Sequence, residues 1–176
     1  MIPKIKKILY ATDLSQNSAY AFRYAINSAK QHNADIYILH VLDVRFFPAG
    51  PLPDEGMGML VEGPLLLERL SEQQAKQIRL AKESIENRLR EFCRRELECN
   101  EELLKRVVSI EIVEGDPAAQ ILSKADEMEA DIVVMGTHGK GILAHTFLGS
   151  VAQKVLQRIK IPVFVIPIPP KTDIAF

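Results

Sequence analysis

Apolar residues gather in five short runs along the chain, at 8–11, 35–41, 107–113, 132–135 and 163–166. Four of the runs are apolar almost throughout, which is typical of strands buried on both faces of a parallel sheet. The run at 107–113 instead alternates apolar and polar residues, which predicts a strand at the sheet edge with one face in water. The sequence therefore predicts a sheet of five strands.

Between these runs the apolar residues recur every three or four positions, the period of an amphipathic helix. In the first helix the stripe is Ala19, Phe22, Ile26 and Ala29, and we expect Ser15 to cap its start and Asn33 to end it. The remaining helices are predicted at 66–97, from 117 to about 129, and at 150–159. Strands that alternate with helices favour an α/β fold with one doubly wound, five-stranded parallel sheet and helices on both faces.

A chain of 176 residues is about the length of one domain, so we expect a single domain over 1–176. The segment at 43–64 breaks the alternation, because its prolines and glycines exclude regular structure. Such an insertion is either functional or disordered, and its sequence leaves both open. We also expect an extended tail at 167–176.

Charge and composition exclude several classes of partner. Lys and Arg number 22 against 23 Asp and Glu, a net charge of -1, so no overall field attracts nucleic acid or an anionic membrane. The first apolar run is too short for a signal peptide or a membrane span, so the expected location is cytoplasmic. Cys93 and Cys99 lie six positions apart in a predicted helix, too far to bridge, and are expected to be unreactive.

The stretch from Asp131 to Ser150 carries the clearest chemical signal. A buried strand ends at Gly136, two further glycines follow at 139 and 141, and Gly149 opens the last helix. Glycines let the backbone take φ > 0 or approach a ligand closely, and a helix start offers unpaired N–H groups. The order of strand, glycine loop and helix start predicts an anion-binding site, although the spacing fits neither the dinucleotide G-x-G-x-x-G pattern nor a Walker P-loop.

Each of these residues also has a purely structural interpretation. Asp13-x-x-Gln16 resembles a capping box, so Asp13 could cap the first helix rather than meet a ligand. His138 and Lys140 could be solvated loop residues. The other histidines, at 32, 40 and 145, lack the spacing of metal ligands, and no metal site from protein side chains is expected.

The G-x-x-G, nine residues, G-S spacing from Gly136 to Ser150 resembles the signature of nucleotide-binding universal stress proteins. The segments KKILYATDLS, ILHVLD and IPVFVIP also resemble that family, so the likeness covers nearly the whole chain. It implies the strand order 3-2-1-4-5 of adenine nucleotide alpha hydrolase-like folds. In that order the first and fourth strands are neighbours and form a crevice at their carboxyl ends.

The resemblance also implies where an adenine nucleotide would bind. The implied binding residues are Ala11, Thr12, Asp13, Val41, Met135, Gly136, His138, Gly139, Lys140, Gly149, Ser150 and Val151. Asp13 and the backbone before it would flank the ribose and adenine, and the main chain of Val41 would contact adenine. Gly139 and its neighbours would cradle the phosphates with Gly149, Ser150 and Val151. Ala152 departs from relatives that carry a hydroxyl there, which removes one phosphate contact.

The implied function is an ATP-binding switch or sensor of the stress response, with slow or no hydrolysis. ADP or AMP could replace ATP, and Mg²⁺ would be carried by the phosphates. Two alternatives are an ATP-hydrolysing enzyme of the same fold and a dimeric interaction protein with an empty crevice. The apolar strand at 163–166 is expected to lie at an open edge and to form a homodimer; the alternative is that the 43–64 insertion or the proline-rich tail covers this edge within one chain. Protein partners are unknown.

Overall fold

The computed structural model describes residues 3–43, 64–98, 100–137 and 148–167. Most of the insertion at 43–64 and of the tail at 167–176 lies outside these ranges. The predictions made for those two segments therefore stay predictions.

Five parallel strands form one sheet in the order β3-β2-β1-β4-β5. The strands are β1 (Lys7–Thr12), β2 (Asp35–Leu42), β3 (Val107–Glu114), β4 (Ile132–Gly136) and β5 (Val163–Ile166). In the central register Ile8 of β1 lies between Ile36 of β2 and Ile132 of β4. This order confirms the predicted doubly wound fold, and it places the carboxyl ends of β1 and β4 side by side at the point where the winding reverses.

The helices are α1 (Gln16–His32), α2 (Pro64–Glu96), α3 (Glu101–Leu104), α4 (Pro117–Glu127) and α5 (Ser150–Leu156). As predicted, Ser15 caps α1 and Asn33 ends it, in the left-handed conformation with φ 53°. The single-turn α3 was not predicted, because four residues are too few to show a helical period. Its one signal is Asn100, whose side chain accepts from Leu103 N at 3.1 Å.

Two further predictions were wrong in detail. Helix α5 ends at Leu156 rather than 159, since the chain must turn before Pro162 into β5. Strand β3 lies at the sheet edge as predicted, but its polar face is only partly open to water. Glu111 on that face is half-buried and pairs with Lys124 of α4 at 2.7 Å.

The strands divide the core between two faces of the sheet. Helices α1 and α2 cover one face, where Tyr10 packs on Phe22 and Phe22 on Phe92, with ring centroids 5.2 and 5.0 Å apart. Helices α4 and α5 cover the other face, where Leu9 and Val133 are buried. Alternate residues of β1 serve the two sides, as the two-residue period of a strand requires.

Among the helices in the described ranges, none is both long and apolar enough to cross a bilayer. The start of β1 is fixed to the chain before β4 by Asp131, whose Oδ2 accepts from the backbone N–H groups of Lys6 and Lys7 at 2.6 and 2.9 Å. This contact lies at the end of the sheet opposite the crevice.

Candidate functional site

A cavity of about 310 Å³ opens at the carboxyl ends of β1 and β4, on the side of the sheet covered by α4 and α5. Its volume falls within the roughly 300–1,000 Å³ of small-molecule sites. The lining residues are Ala11, Thr12, Asp13, Ser18, Leu39, Val41, Pro117, Ile121, Met135, Gly136, Thr137, Gly149, Ser150, Val151 and Ala152. One wall is apolar and contains Leu39, Val41 and Met135. Among the described residues, the polar side chains of the lining are four hydroxyls and one carboxylate, which lie at or just beyond the carboxyl ends of β1 and β4 and in the first turns of α1 and α5.

Asp13 is held by the start of α1. Its Oδ1 accepts from Ser15 N at 3.1 Å and from Ser15 Oγ at 2.6 Å. Ser15 is itself the N-cap of α1 and accepts from Ser18 N at 3.3 Å. The capping-box interpretation of Asp13 is therefore wrong, since the N-cap lies two residues further along the chain.

The second carboxylate oxygen of Asp13, Oδ2, is buried and has no hydrogen-bond partner among the residues that the structure describes. A buried acceptor without a partner costs about 1–3 kcal/mol, and more when it carries charge. Native proteins seldom keep such a group, and it calls for an explanation. Because Asp13 lines the cavity, a donor on a bound ligand would satisfy this oxygen.

The turn between β1 and α1 contains strained backbone. Leu14 has φ 62°, in the left-handed region that a branched side chain seldom occupies. The hydroxyl oxygen of Thr12 accepts from Leu14 N at 3.1 Å and so supports this conformation. Strain of this kind, on the order of 1–3 kcal/mol, tends to gather at binding sites.

Behind this turn lies a buried polar network on the α1 side of the sheet. Thr12 Oγ1 donates to Ser18 Oγ at 3.0 Å, and Ser18 Oγ donates to Ser15 O at 3.0 Å. Tyr10 OH donates to Ser18 O at 2.5 Å, and burial raises the pKa of this phenol, which keeps it a neutral donor. His40 Nδ1 lies 2.8 Å from Thr12 O, and because a carbonyl can only accept, Nδ1 carries the proton. These hydrogen bonds hold the carboxyl end of β1 in place from the α1 side of the sheet.

The opposite wall of the cavity joins β4 to α5. Thr137 N donates to Ile166 O at 3.0 Å, and Gly149 N donates to Thr137 O at 2.8 Å, which brings the start of α5 to the end of β4. Gly149 caps α5 with φ -67° and ψ 157°, an extended conformation open to any residue. The backbone conformation at this position therefore does not require glycine. The absence of a Cβ instead leaves the backbone N–H groups at the start of α5 accessible to a ligand. Helix α5 has only seven residues, so the local N–H groups count for more here than a helix dipole.

The structure brings nine of the twelve predicted binding residues to this one cavity. They are Ala11, Thr12, Asp13, Val41, Met135, Gly136, Gly149, Ser150 and Val151. His138, Gly139 and Lys140 lie outside the described residues, so their placement remains a prediction. Within the described ranges, no group of three or more His, Cys, Asp or Glu side chains is arranged to hold a metal ion.

Sequence reasoning missed six residues of the lining: Ser18, Leu39, Pro117, Ile121, Thr137 and Ala152 as a wall residue. Pro117 and Ile121 lie in the first two turns of α4, and the crossover from β3 to β4 brings that helix over the crevice. The strand order could have indicated them. The sequence could not identify Ser18 as a lining residue, because a serine in the first turn of a helix ordinarily belongs to the N-terminal cap.

Comparison with known proteins agrees with this architecture. The model of the Universal stress protein family matches residues 4–167. Universal stress protein MJ0531 of Methanocaldococcus jannaschii is 35% identical over 94% of this chain and 84% of its own length. Universal stress protein MJ0577 of the same organism is 30% identical over 92% of this chain and 94% of its own length.

Solved structures show the same fold. The structure of MJ0577 has a TM-score of 0.71 at 26% identity and covers 96% of this chain and 100% of that chain. A universal stress protein solved in complex with cAMP has a TM-score of 0.53 at 20% identity, over 94% of this chain and 98% of that chain. With the family match across nearly the whole sequence and the predicted strand order in place, the chain belongs to the universal stress protein family.

Proposed function

We propose that the protein binds an adenine nucleotide, ATP before ADP or AMP, in the cavity between β1 and β4. The bound nucleotide acts as a switch or sensor signal in the stress response, and its hydrolysis is slow or absent. Any Mg²⁺ is carried by the nucleotide phosphates rather than by protein side chains. Family membership supports the stress-response role, and the cavity supports the nucleotide.

The observation that carries this proposal is the buried, unpaired Oδ2 of Asp13 in the cavity wall. A carboxylate oxygen accepts strongly from hydroxyl groups, and a ribose presents two of them side by side. A ribose next to Asp13 would satisfy the oxygen that the protein leaves without a partner. The energetic cost of burying this group would then be recovered on binding.

The apolar wall suits the base. Leu39 and Val41 on β2 and Met135 on β4 line the cavity with hydrophobic surface, against which a planar adenine can pack. Val41 lies near the carboxyl end of β2, where its main chain can contact the polar edge of the base, as predicted from the family resemblance.

The phosphates would extend towards the start of α5. Ser150 supplies a hydroxyl, and Gly149 places no Cβ in front of the first-turn N–H groups and has no side chain to cap them. Phosphate oxygens accept from backbone N–H and hydroxyl groups. We expect His138, Gly139 and Lys140 to provide the remaining phosphate contacts.

Slow hydrolysis is expected from the chemistry of the lining. Its described polar side chains are the hydroxyls of Thr12, Ser18, Thr137 and Ser150 and the carboxylate of Asp13. Fast phosphoryl transfer depends on cationic groups and metal ions that neutralise charge developing on the transferred group. Among the described lining residues the polar side chains are neutral hydroxyls and one anion, which suit holding a nucleotide more than cleaving it, and we expect Lys140 and any Mg²⁺ to bind the phosphates without an added cationic side chain to speed their transfer.

We also propose a homodimer through β5, which lies at the end of the strand order, with its outer edge unpaired by any strand in the described part of the chain. Phe164 on this strand is 42% exposed, and Val163 and Val165 are half-buried. An exposed apolar edge invites pairing with another strand. A two-fold axis would let two copies of β5 pair antiparallel and cover both edges at once.

The proposed ligand can be tested without adding one. Purified protein is denatured, and the released small molecules are separated and identified. An adenine nucleotide in near-equal amount to protein is the expected result. Protein that releases none and also fails to bind added ATP, ADP, AMP or cAMP would refute the proposal.

Hydrolysis needs a separate assay. Phosphate release from ATP is expected to run far below the ~1–10³ s⁻¹ of typical enzymes. Release within that range, abolished by Asp13→Ala, would favour the ATP-hydrolysing enzyme instead.

A further inference from the structure

We propose that Ser15 is a positioning residue that fixes the orientation of Asp13, so that the cavity selects nucleotides with free ribose hydroxyls. This inference rests on the proposed function, since it names what sets the selectivity of that site. Ser15 does not line the cavity and would act only through Asp13.

Two donors from one residue converge on one carboxylate oxygen. Ser15 N and Ser15 Oγ both donate to Asp13 Oδ1, at 3.1 and 2.6 Å. The shorter contact has the length of a charge-assisted O–H···O⁻ bond, the stronger class of hydrogen bond. With Oδ1 committed to Ser15, the carboxylate cannot rotate freely, and Oδ2 is the oxygen left for a ligand.

The Ser15 hydroxyl is itself held in one orientation. Its oxygen accepts from Ser18 N at 3.3 Å as the cap of α1, and its proton is given to Asp13. Its carbonyl accepts from Ser18 Oγ at 3.0 Å, and that hydroxyl in turn accepts from Thr12 Oγ1. The cap of α1 and the orientation of Asp13 are thus one hydrogen-bonded unit. This unit is already ordered in the folded protein, so nucleotide binding does not carry the entropy cost of ordering it.

A fixed acceptor should discriminate between ligands more sharply than a mobile one. If a nucleotide lacks both ribose hydroxyls, it leaves Oδ2 buried without a donor, and such a ligand is disfavoured. We expect the unmodified protein to bind ATP roughly 10–150-fold more tightly than 2′,3′-dideoxy-ATP. If Asp13 could rotate, it could turn Oδ2 towards water or another donor, and this ratio would fall towards one.

The test measures dissociation constants for ATP and 2′,3′-dideoxy-ATP by calorimetry in matched variants. Ser15→Ala removes the hydroxyl, and Ser15→Thr keeps it. Ser15→Gly also removes it but is tolerated better than alanine at a helix N-cap, so it serves where Ser15→Ala does not fold. Asn100→Ala is the control, because it removes the side-chain cap of α3, outside the cavity lining.

We expect the ATP preference to collapse in Ser15→Ala and Ser15→Gly, to return in Ser15→Thr, and to be unchanged in Asn100→Ala. A purely structural Ser15 would lower stability while leaving the ratio of the two constants as it was. An unmodified protein that prefers ATP, with a Ser15→Gly variant that keeps this preference, would overturn the inference and leave the proposed function standing. Equal binding of both nucleotides by the unmodified protein would also overturn it, and no binding of either would refute the proposed function itself.

Discussion

Replacing Asp13 with asparagine should separate binding from stability. The asparagine oxygen can take the place of Oδ1 and accept both Ser15 donors, while an NH₂ group takes the place of the unpaired Oδ2. The NH₂ group is also buried without a partner, so the substitution relieves only the extra cost of burying a charge rather than a neutral group, on the order of 1–2 kcal/mol. Weakening two bonds from charge-assisted to neutral costs about 1 kcal/mol each. The two changes nearly cancel.

The free energy of unfolding of Asp13→Asn should therefore lie within about 1 kcal/mol of the unmodified protein, which is a change in melting temperature of ~2–4 °C. Its affinity for ATP should fall, because the anionic acceptor for the ribose is lost. A hydrogen bond to a charged group contributes about 1.5–3 kcal/mol, which corresponds to a loss of roughly 10–150-fold. Chemical denaturation of the nucleotide-free protein and calorimetric titration with Mg-ATP measure the two quantities.

Asp131→Asn is the matched control. Asp131 also accepts from two donors, the N–H groups of Lys6 and Lys7, but it does so at the opposite end of the sheet. This variant should lose stability and keep its ATP affinity. If Asp13→Asn behaves in the same way, Asp13 is a structural residue and the assignment of Oδ2 to a ligand is wrong.

Three further predictions follow from the site, the edge strand and the core. Gly149→Val fits the extended backbone at that position, so the protein should fold, but the added side chain should lower ATP affinity at least tenfold; unchanged affinity would place the phosphates elsewhere. Phe164→Glu on the exposed edge of β5 should give a monomer by sedimentation, whereas an unmodified protein that is already monomeric at tens of micromolar would exclude the β5 dimer. Burial raises the pKa of the Cys93 thiol from 9.0 to about 12, so in a Cys99→Ser background a thiol reagent at pH 8 should label the protein only after unfolding; rapid labelling of the native state would show that α2 opens. Because the pKa is raised, this thiol should favour folding below pH ~9 and lose that contribution as pH rises towards 12.

The fold was predictable because the strands and helices carry different periods. Strands such as β4 are buried on both faces, so they appear as unbroken apolar runs, and α1 shows a single apolar stripe. The strand order was harder to predict from the sequence pattern, because the rule of right-handed crossovers does not determine which strands are neighbours. The predicted order therefore came from the family resemblance. The wet face expected for β3 is only partly exposed, because Glu111 pairs with Lys124 of α4, and only the packed structure shows such a pair.

The lining of the cavity was predictable in outline, and the contacts that support it were not. Gly149 and Ser150 are recognisable from their spacing, and Asp13 from its position after a strand. The same Asp13 also suited a capping box, and local sequence could not decide between the two. The decision depends on how Ser15 and Ser18 share the start of α1, which is a matter of hydrogen-bond geometry over a few ångströms.

Titration of nucleotide-free protein with Mg-ATP tests the central claim most directly. One ATP per chain should bind saturably, and at ~100 times the dissociation constant it should stabilise the fold by about 2.7 kcal/mol, which raises the melting temperature by ~5–10 °C. The heat of binding should weaken in Asp13→Asn and persist in Asp131→Asn. If millimolar ATP produces neither heat nor a shift in melting temperature, the cavity between β1 and β4 is not an adenine nucleotide site.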